Sequence, residues 1–381
     1  MKLKKIKLNR KIEKRLLALG CDLDGSVCFA QDDEVVLAGG MGDLKEPANL
    51  DSYAQKLQNL LQKEGFVPEI LLCDLNENQE SAKYAQRLSN IYACPLVQAQ
   101  HQEAHFYGSL LENQVDLQNE SVLGVVFDDI GMGIDEYEWG GEFFMATHRD
   151  LQRFAHFAYW PMPGGAYVHL EPYRMMLSAI WQAFGDVHLD GLFKSSVQNN
   201  TFQGVWELLK KDSISTYTTS VKLILDAVYC LTGGKTSLRS RYQGLESLAK
   251  LLKKPVADVG AFPFEIISSK TSQTISLDLA IQELVNQLAA GESKERIAQA
   301  FIETLSQSVL QTVDLAFSKA KQNKVTLTGQ VLDVPAFRDK FAADLIQHGC
   351  QVLPSSSLGS SDGSLAWGQV AYAVYQELDL A

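Results

Sequence analysis

The order of apolar and polar positions predicts strands and helices in alternation over the first 130 residues. "PEILLCDL" and "SVLGVVFDD" are apolar runs of strand length, whereas "LDSYAQKLQNLLQKEG" and "HQEAHFYGSLLEN" have helical periodicity. "LLALGCDLDGSVCFAQDDEVVLAGG" predicts a β-hairpin with its turn at "DLDGS" and a second turn at "AQDDE" before another strand. We therefore expect a mixed α/β sheet flanked by helices in this part of the chain.

The pattern changes after "WPMPGG" at residues 160–165, because most later segments have helical periodicity. Two long helices are predicted across residues 276–322, and a last helix from about Gly363. We expect a basic N-terminal arm over residues 1–15, a first lobe over residues 16–155 and a second, more helical lobe over residues 156–381. No internal repeat is recognisable in the sequence.

Composition and charge narrow the class of protein. The 381 residues are 46% hydrophobic but contain no run of 18 apolar residues, so we expect no membrane partner. A net charge of −12 argues against a general nucleic-acid binder, although the first 15 residues carry eight Lys or Arg. That basic arm is either flexible or loosely docked, or it binds an anionic partner. Six cysteines in apolar runs, with no C-x-x-C pair, indicate buried thiols in a reducing, cytoplasmic environment.

Two histidines stand four residues apart in "AQHQEAHFYG", where His101 and His105 share one face of the predicted helix. Two imidazoles so placed can bind one metal ion, but the string lacks the Glu of H-E-x-x-H because Gln102 follows the first His. The alternative is a solvated helix that happens to carry two histidines. A metal site would need carboxylates from elsewhere in the chain.

Three further strings combine carboxylates with glycines. "VVFDDIGMG" places Asp128 at a strand end before two glycines whose backbone N–H groups suit an anion, unless the string is an ordinary hairpin with acidic turn residues. "SSDGSLAWGQ" places Asp362 before the last helix, where it is either a ligand or an N-cap. "PMPGGAYVHLEPYRMM" combines close-approach glycines with Glu171 and Arg174, which also fit a plain helix start.

Taken together and in this order, several strings resemble the C-terminal carbamoyltransferase domain of the hydrogenase maturation factor HypF. They are "LALGCDL", "QHQEAH", "GVVFDDIGMGIDEYEWGGEF", "PMPGG…EPYRM", "LDAV" and "DGSLAWGQ", and the resemblance covers roughly residues 16–380. It implies two ribonuclease-H-like lobes, as in actin, Hsp70 and sugar kinases, with a nucleotide in the cleft between them. It relates the chain to tRNA threonylcarbamoyl transferases and O-carbamoyltransferases.

The resemblance also implies the contents of the cleft. His101, His105, Asp128 and Asp362 match the ligands of one divalent metal, and this mixed nitrogen and oxygen set suits Zn or Fe equally. Carbamoyl-adenylate, or ATP or AMP, is expected beside the metal. The residues expected to contact this nucleotide are Asp129, Gly131, Gly133, Gly164, Gly165, Glu171, Arg174, Gly329 and Gly363.

Partners follow from the same resemblance. The carbamoyl group is expected to pass to the C-terminal Cys thiolate of a HypE-like acceptor, on the way to the cyanide ligands of the hydrogenase iron, or to another acceptor. The acylphosphatase-like, zinc-finger and adenylate-forming parts of HypF are not recognisable in this sequence. We therefore expect a separate protein to supply carbamoyl-adenylate.

The chain departs from the family pattern mainly where a nucleotide would bind. Asp129 and Ile130 stand in place of Gly-Thr, Lys222 and Leu223 in place of Gly-Arg, and Ala166 in place of an Asp. Gln102 and Glu103 replace two middle histidines, and Gln330 and Val334 replace a Gly and an Asn. These departures leave a second hypothesis open, a metal-binding scaffold protein that has lost catalysis.

Overall fold

The computed structural model describes residues 2–148, 150–186, 200–211, 214, 216–254, 256–317 and 323–378. Its strands form two sheets, each covered by helices, so the α/β class and the two-lobed architecture predicted from the sequence are confirmed. None of the described helices is long and apolar enough to cross a membrane.

The first sheet has four strands in the order β2-β1-β3-β4. These strands are β1 Lys2–Ala18, β2 Val27–Gly39, β3 Ile70–Asp74 and β4 Leu96–Ala99. β1 runs antiparallel to β2 and parallel to β3, and β3 runs parallel to β4. All five residues of β3 are buried, which is the pattern of a strand covered on both faces.

The N-terminal segment corrects two expectations from the sequence. Residues 2–15 are not a loose arm, because they belong to β1 and pair with β2 as far as Gly39. Leu8 and Ile12 are buried in the core that lies between the two sheets, whereas the charged residues between them are not buried. The string "AQDDE" is not a turn between strands but part of β2, although Asp32 at φ 53° marks a bulge there.

The second sheet follows the path β10-β11-β7-β6-β5-β12-β13, with β8 and β9 attached beside β6. Its strands are β5 Ser121–Met132, β6 Glu138–Thr147, β7 Asp150–Phe157, β8 Trp160–Pro161, β9 Tyr217–Thr218, β10 Glu265–Ser268, β11 Gln273–Ser276, β12 Lys324–Thr328 and β13 Gln351–Val352. β5 runs antiparallel to β6 and parallel to β12, and β12 runs parallel to β13. Four strands of this sheet therefore repeat the order and direction of the whole first sheet, a repeat that the sequence does not show.

Twelve helices flank the sheets in the described part of the chain. They are α1 Pro47–Glu64, α2 Glu80–Tyr92, α3 His101–Glu112, α4 Tyr173–Phe184, α5 Asn200–Lys210, α6 Val221–Leu231, α7 Gln243–Leu252, α8 Asp278–Ala289, α9 Lys294–Phe317, α10 Gln330–Asp333, α11 Pro335–Gln347 and α12 Leu365–Tyr375. α1 and α2 cover one face of the first sheet, and α3 and α12 lie between the two sheets. The remaining helices build the large core on the other side of the second sheet.

The division between the lobes also differs from the expectation. The boundary predicted at residues 155–156 falls inside β7, and the strands on both sides of it belong to the second sheet. The sheets divide the chain earlier, between β4 and β5, because β5 pairs with β12 rather than with β4. We call residues 2–112 the first lobe and residues 121–378 the second lobe.

Candidate functional site

Two helices from distant parts of the chain meet at the middle of the molecule. α3 and α12 cross so closely that a Cβ on Gly368 would lie 2.2 Å from the backbone oxygen of Ala104, and one on Gly108 would lie 3.1 Å from the Cα of Gly368. The indole N–H of Trp367 donates to the backbone oxygen of Gly108 at 2.9 Å. Only glycine allows this approach, which brings the first turn of α3 beside the loop that precedes α12.

This crossing assembles the four residues that the family resemblance assigns to a metal. The Nε2 atom of His101 lies 3.4 Å from Asp128 and 3.5 Å from Asp362, and that of His105 lies 3.6 and 3.8 Å from the same two carboxylates. One ligand atom from each residue lies within 4.8 Å of all the others. At metal bonds of about 2.0–2.2 Å, tetrahedral ligand atoms stand roughly 3.4 Å apart, so the residues fit one divalent ion.

Burial separates the metal hypothesis from its alternatives. His101 and His105 are 3% and 4% exposed, so α3 does not present them to solvent. Both Nε2 atoms are buried without a hydrogen-bond partner, a state that is uncommon for polar atoms in proteins and that a metal ion would relieve. Asp362 makes no side-chain cap to the helix that follows it, and its carboxylate faces the histidines instead.

Further side chains hold this cluster in place. Asp74, at the end of β3, bonds to Nδ1 of His101 at 2.7 Å, which leaves Nε2 directed at the cluster centre. Gln102 is fully buried and donates to Asp128 at 3.3 Å, and the backbone N–H of Gln330 donates to the other oxygen of Asp128 at 3.0 Å. Sequence reasoning missed Asp74, although "LLCDL" ends a buried strand in an Asp just as "VVFDD" does.

The electrostatics of the cluster favour a cation. Burial disfavours the charged imidazole of His101, but the carboxylates of Asp128, Asp362 and Asp74 outweigh it and raise the pKa of His101 well above its usual value. For Asp362, burial opposes ionisation, yet the two histidines outweigh it and lower the pKa of its carboxyl. The site therefore holds positive charge against the effect of burial.

A cavity of about 380 Å³ opens beside the cluster and is bounded by both lobes. The first lobe contributes Asp22, Lys45 and Gln79, and the second contributes Glu138 among others. Burial is the main cause that raises the pKa of Glu138. Of the nine residues expected to contact a nucleotide, three line this cavity, namely Asp129, Gly131 and Gly165.

The expected glycine turn after Asp128 is a continuous strand. β5 runs through Met132, and the backbone N–H of Gly133 donates a hydrogen bond to the backbone oxygen of Tyr137 at 2.7 Å. Gly131 has a packing role, because a Cβ there would lie 2.5 Å from the Cβ of His101. Asp128 therefore approaches the histidines from within a strand, and the N–H of Gly133 does not face an anion.

The other expected nucleotide contacts lie outside the cavity lining. Gly329 adopts φ 97° and directs the next N–H at Asp128, while a Cβ on Gly363 would lie 2.6 Å from the Asp24 carboxylate. Glu171 and Arg174 pair with each other at 2.6 Å, and a Cβ on Gly164 would lie 2.6 Å from that guanidinium. No side-chain cap from Glu171 is present at the start of α4.

A second charged cluster, which sequence reasoning missed, surrounds Asp129 on the second-lobe wall of the cavity. Arg241, His169 and Lys222 lie 2.7, 3.3 and 3.8 Å from its carboxylate, and Lys222 also lies 2.9 Å from Asp226. We call these five residues the ion network. Burial favours a neutral Asp129, but Lys222, His169 and Arg241 outweigh it and lower its pKa, whereas burial raises the pKa of Asp226 to about 6.

Comparisons with known proteins agree on one family. The model of the HypF Kae1-like domain matches residues 11–112, and that of the second subdomain of the carbamoyltransferase Kae1-like domain matches residues 124–369. A probable carbamoyltransferase HypF of Methanocaldococcus jannaschii is 23% identical over 96% of this chain and 47% of its own length. A carbamoyltransferase HypF of Synechocystis is 31% identical over 48% of this chain and 23% of its own length.

Solved structures show the same fold. Full-length HypF in a phosphate- and nucleotide-bound form has a TM-score of 0.87 at 22% identity, with 97% of this chain and 56% of that chain covered. HypF of T. kodakarensis has a TM-score of 0.85 at 20% identity, with 98% and 49% covered. The chain thus spans about half the length of the full-length relatives that it matches end to end. The chain belongs to the HypF family and corresponds to the C-terminal, Kae1-like carbamoyltransferase domain of that family.

Proposed function

We propose that this protein transfers a carbamoyl group from carbamoyl-adenylate to a thiol acceptor at a mononuclear metal site in the cleft. The observation that carries the proposal is the convergence of two imidazoles and two carboxylates, with both Nε2 atoms buried and unpartnered. Membership of a carbamoyltransferase family supports carbamoyl as the group that is transferred. The relative solved with phosphate and nucleotide bound supports a nucleotide donor.

The residues of this chain divide the work of the reaction. His101, His105, Asp128 and Asp362 would hold the ion, which when bound supplies a Lewis acid. Asp74 fixes the ring of His101, and Gln102 fixes the carboxylate of Asp128. We propose that the carbamoyl group binds in the cavity beside them, where an incoming thiolate attacks its carbon. A carbon–sulfur bond forms, the carbon–oxygen bond to the adenylate breaks, and AMP leaves with the electron pair.

The acceptor that we propose is the C-terminal Cys of a HypE-like protein, and a separate protein would supply the adenylate. The sequence resemblance supports both partners. We also propose a reducing, cytoplasmic location, because all six cysteines are free and five of them are buried.

Metal content of the purified protein tests the proposal first. We expect about one Zn or Fe per chain by mass spectrometry, and its loss in the His101→Ala/His105→Ala double variant. His348→Ala is the matched control, because that imidazole is partly exposed and pairs with Asp314 away from the cleft. AMP release from carbamoyl-adenylate with a thiol acceptor should follow the metal content. Wild-type protein that stays metal-free after incubation with Zn and Fe would refute the proposal.

The ion network favours a second function, that of a metal-binding scaffold without turnover. Asp129 brings a negative charge to the cavity wall where a nucleotide phosphate is expected. Thermal melting with AMP and ATP separates the two functions, since a ligand at 100 times its dissociation constant stabilises the folded state by about 2.7 kcal/mol. A metal-loaded protein whose melting responds to neither nucleotide, and which releases no AMP, would support the scaffold.

A further inference from the structure

The ion network has the donor groups of an anion-binding site. A guanidinium, an imidazole and an ammonium group surround one position in the second lobe, at 2.7, 3.3 and 3.8 Å from the Asp129 carboxylate. Arg and Lys side chains are the usual phosphate ligands of proteins, Arg as a planar fork and Lys as a point charge. Asp129 occupies the position that the anion would take.

The network faces the cavity through only part of its residues. Asp129, His169 and Arg241 line the cavity, whereas Lys222 is fully buried next to Asp226. A ligand that entered the cavity would therefore meet the Asp129 carboxylate beside Arg241, the cation that it contacts at 2.7 Å. The network also carries no net charge, because two carboxylates balance the guanidinium and the ammonium group.

The carboxylate satisfies these cations incompletely. Both oxygens of Asp129, Nζ of Lys222 and Nε of Arg241 are buried without a hydrogen bond of good geometry. A planar group with two oxygens leaves donors unused in this arrangement, whereas a tetrahedral anion presents oxygens in more directions. The donor set is thus better matched to a phosphate-like anion than to the carboxylate that fills it.

We propose that Asp129 is a built-in anion, which fills a phosphate-type pocket and excludes a phosphate group from this wall of the cleft. A phosphate placed there would have to displace Asp129 from Arg241 or accept a like charge at contact distance. Without Asp129, Arg241 would be an unpaired cation at the cavity wall, with Lys222 buried behind it beside Asp226, and a phosphate would bind.

This inference rests on the proposed function in one respect, because it takes the cavity as the donor site. If Asp129 excludes phosphate from one wall, the carbamoyl donor is a compound with one phosphate, which binds towards the metal side of the cavity. Lys45 is the one ammonium group among the described residues that line the cavity, so little cationic charge remains for a polyphosphate. We therefore expect discrimination against pyrophosphate and triphosphate groups.

The test measures binding of inorganic phosphate and pyrophosphate to the metal-free full chain by calorimetry and by thermal melting. Asp129→Ala should bind phosphate at least about 10-fold more tightly than the wild type, which corresponds to about 1.4 kcal/mol. Asp129→Asn keeps the side-chain volume and should gain less. Asp43→Ala is the matched control, because it removes a carboxylate from the same cavity without unpairing a cation of the network, and it should gain nothing.

Three results would overturn the inference. The wild type could bind phosphate as tightly as Asp129→Ala, Asp43→Ala could gain as much as Asp129→Ala, or Asp129→Ala could fold and gain nothing. If Asp129→Ala fails to fold, the test uses Asp129→Asn instead. An Asp129→Asn protein that binds phosphate no more tightly than the wild type would also overturn the inference. Because these experiments need neither metal nor turnover, a failure of the carbamoyl-transfer proposal would leave their outcome unaffected.

Discussion

The two charged regions of the cleft differ in what they leave unpaired. Around His101 and His105, three buried or half-buried carboxylates face two imidazoles whose Nε2 atoms have no hydrogen bond. Around Asp129, two carboxylates face one guanidinium and one ammonium group. The first region has an excess of negative charge, which the proposed metal ion would balance, whereas the second is neutral as it stands. A buried charge thus points to a ligand only where the charges of the chain do not balance.

The largest effect that follows from this comparison is on stability. Lys222→Met removes a fully buried cation and leaves Asp226 facing Asp129 without it, which should lower the free energy of unfolding by about 3–5 kcal/mol. Urea denaturation measures the change.

Lys340→Met is the control for that variant. Lys340 also pairs with an Asp four residues later, Asp344, but its side chain is 28% exposed. Its loss should lower the free energy of unfolding by about 0–1 kcal/mol. Equal losses in the two variants would show that burial of the ion network does not set its contribution.

The metal region should depend on the helix crossing, which the ion network does not use. In Gly368→Ala, the new methyl group meets the backbone of Ala104, so we expect a loss near the upper end of about 1–3 kcal/mol and weaker metal binding. Gly204→Ala is the control, because a Cβ there meets nothing within 4 Å and should stabilise α5 by about 0.5–1 kcal/mol. A Gly368→Ala protein with wild-type stability and metal affinity would contradict this dependence.

A smaller effect is expected from the residue behind the metal ligands. Asp74→Asn weakens the bond that orients His101, and such changes reduce metal affinity by about 10- to 100-fold. Competition with a chelator measures the affinity, and Asp43→Asn is the control because Asp43 lines the cavity without contacting a histidine. Unchanged affinity in Asp74→Asn would mean that packing alone fixes the ring.

The sequence predicted most of the secondary structure but less of its pairing. The apolar runs predicted β3 and β5, and helical periodicity predicted α1 to α3 and the helices after residue 165. The sequence pattern predicted a basic arm where the structure has a strand, because the many lysines obscure the apolar signal of the buried Leu8 and Ile12. It also placed the lobe boundary inside β7, since partners in a sheet are distant in sequence and the local pattern does not name them.

The same limit applies to the site. The spacing of His101 and His105 suggested a metal, and the family resemblance supplied Asp128 and Asp362, which the structure brings to the histidines. The ion network had a local signal in "VKLILDAV", where Lys222 and Asp226 stand four apart in an apolar helix. Their neighbours His169 and Arg241 come from other segments, so only the folded chain shows that Asp129 and Lys222, two of the departures from the family pattern, belong to one cluster.

The glycine crossing of α3 and α12 also has a consequence for the time at which the site forms. Its ligands extend from residue 101 to residue 362, so they meet only after the loop between them has closed and α12 has docked. During synthesis, the histidines leave the ribosome long before Asp362 does. A nascent chain can therefore complete its first sheet without gaining the full ligand set, so uptake of the proposed metal would report that the last helix is in place.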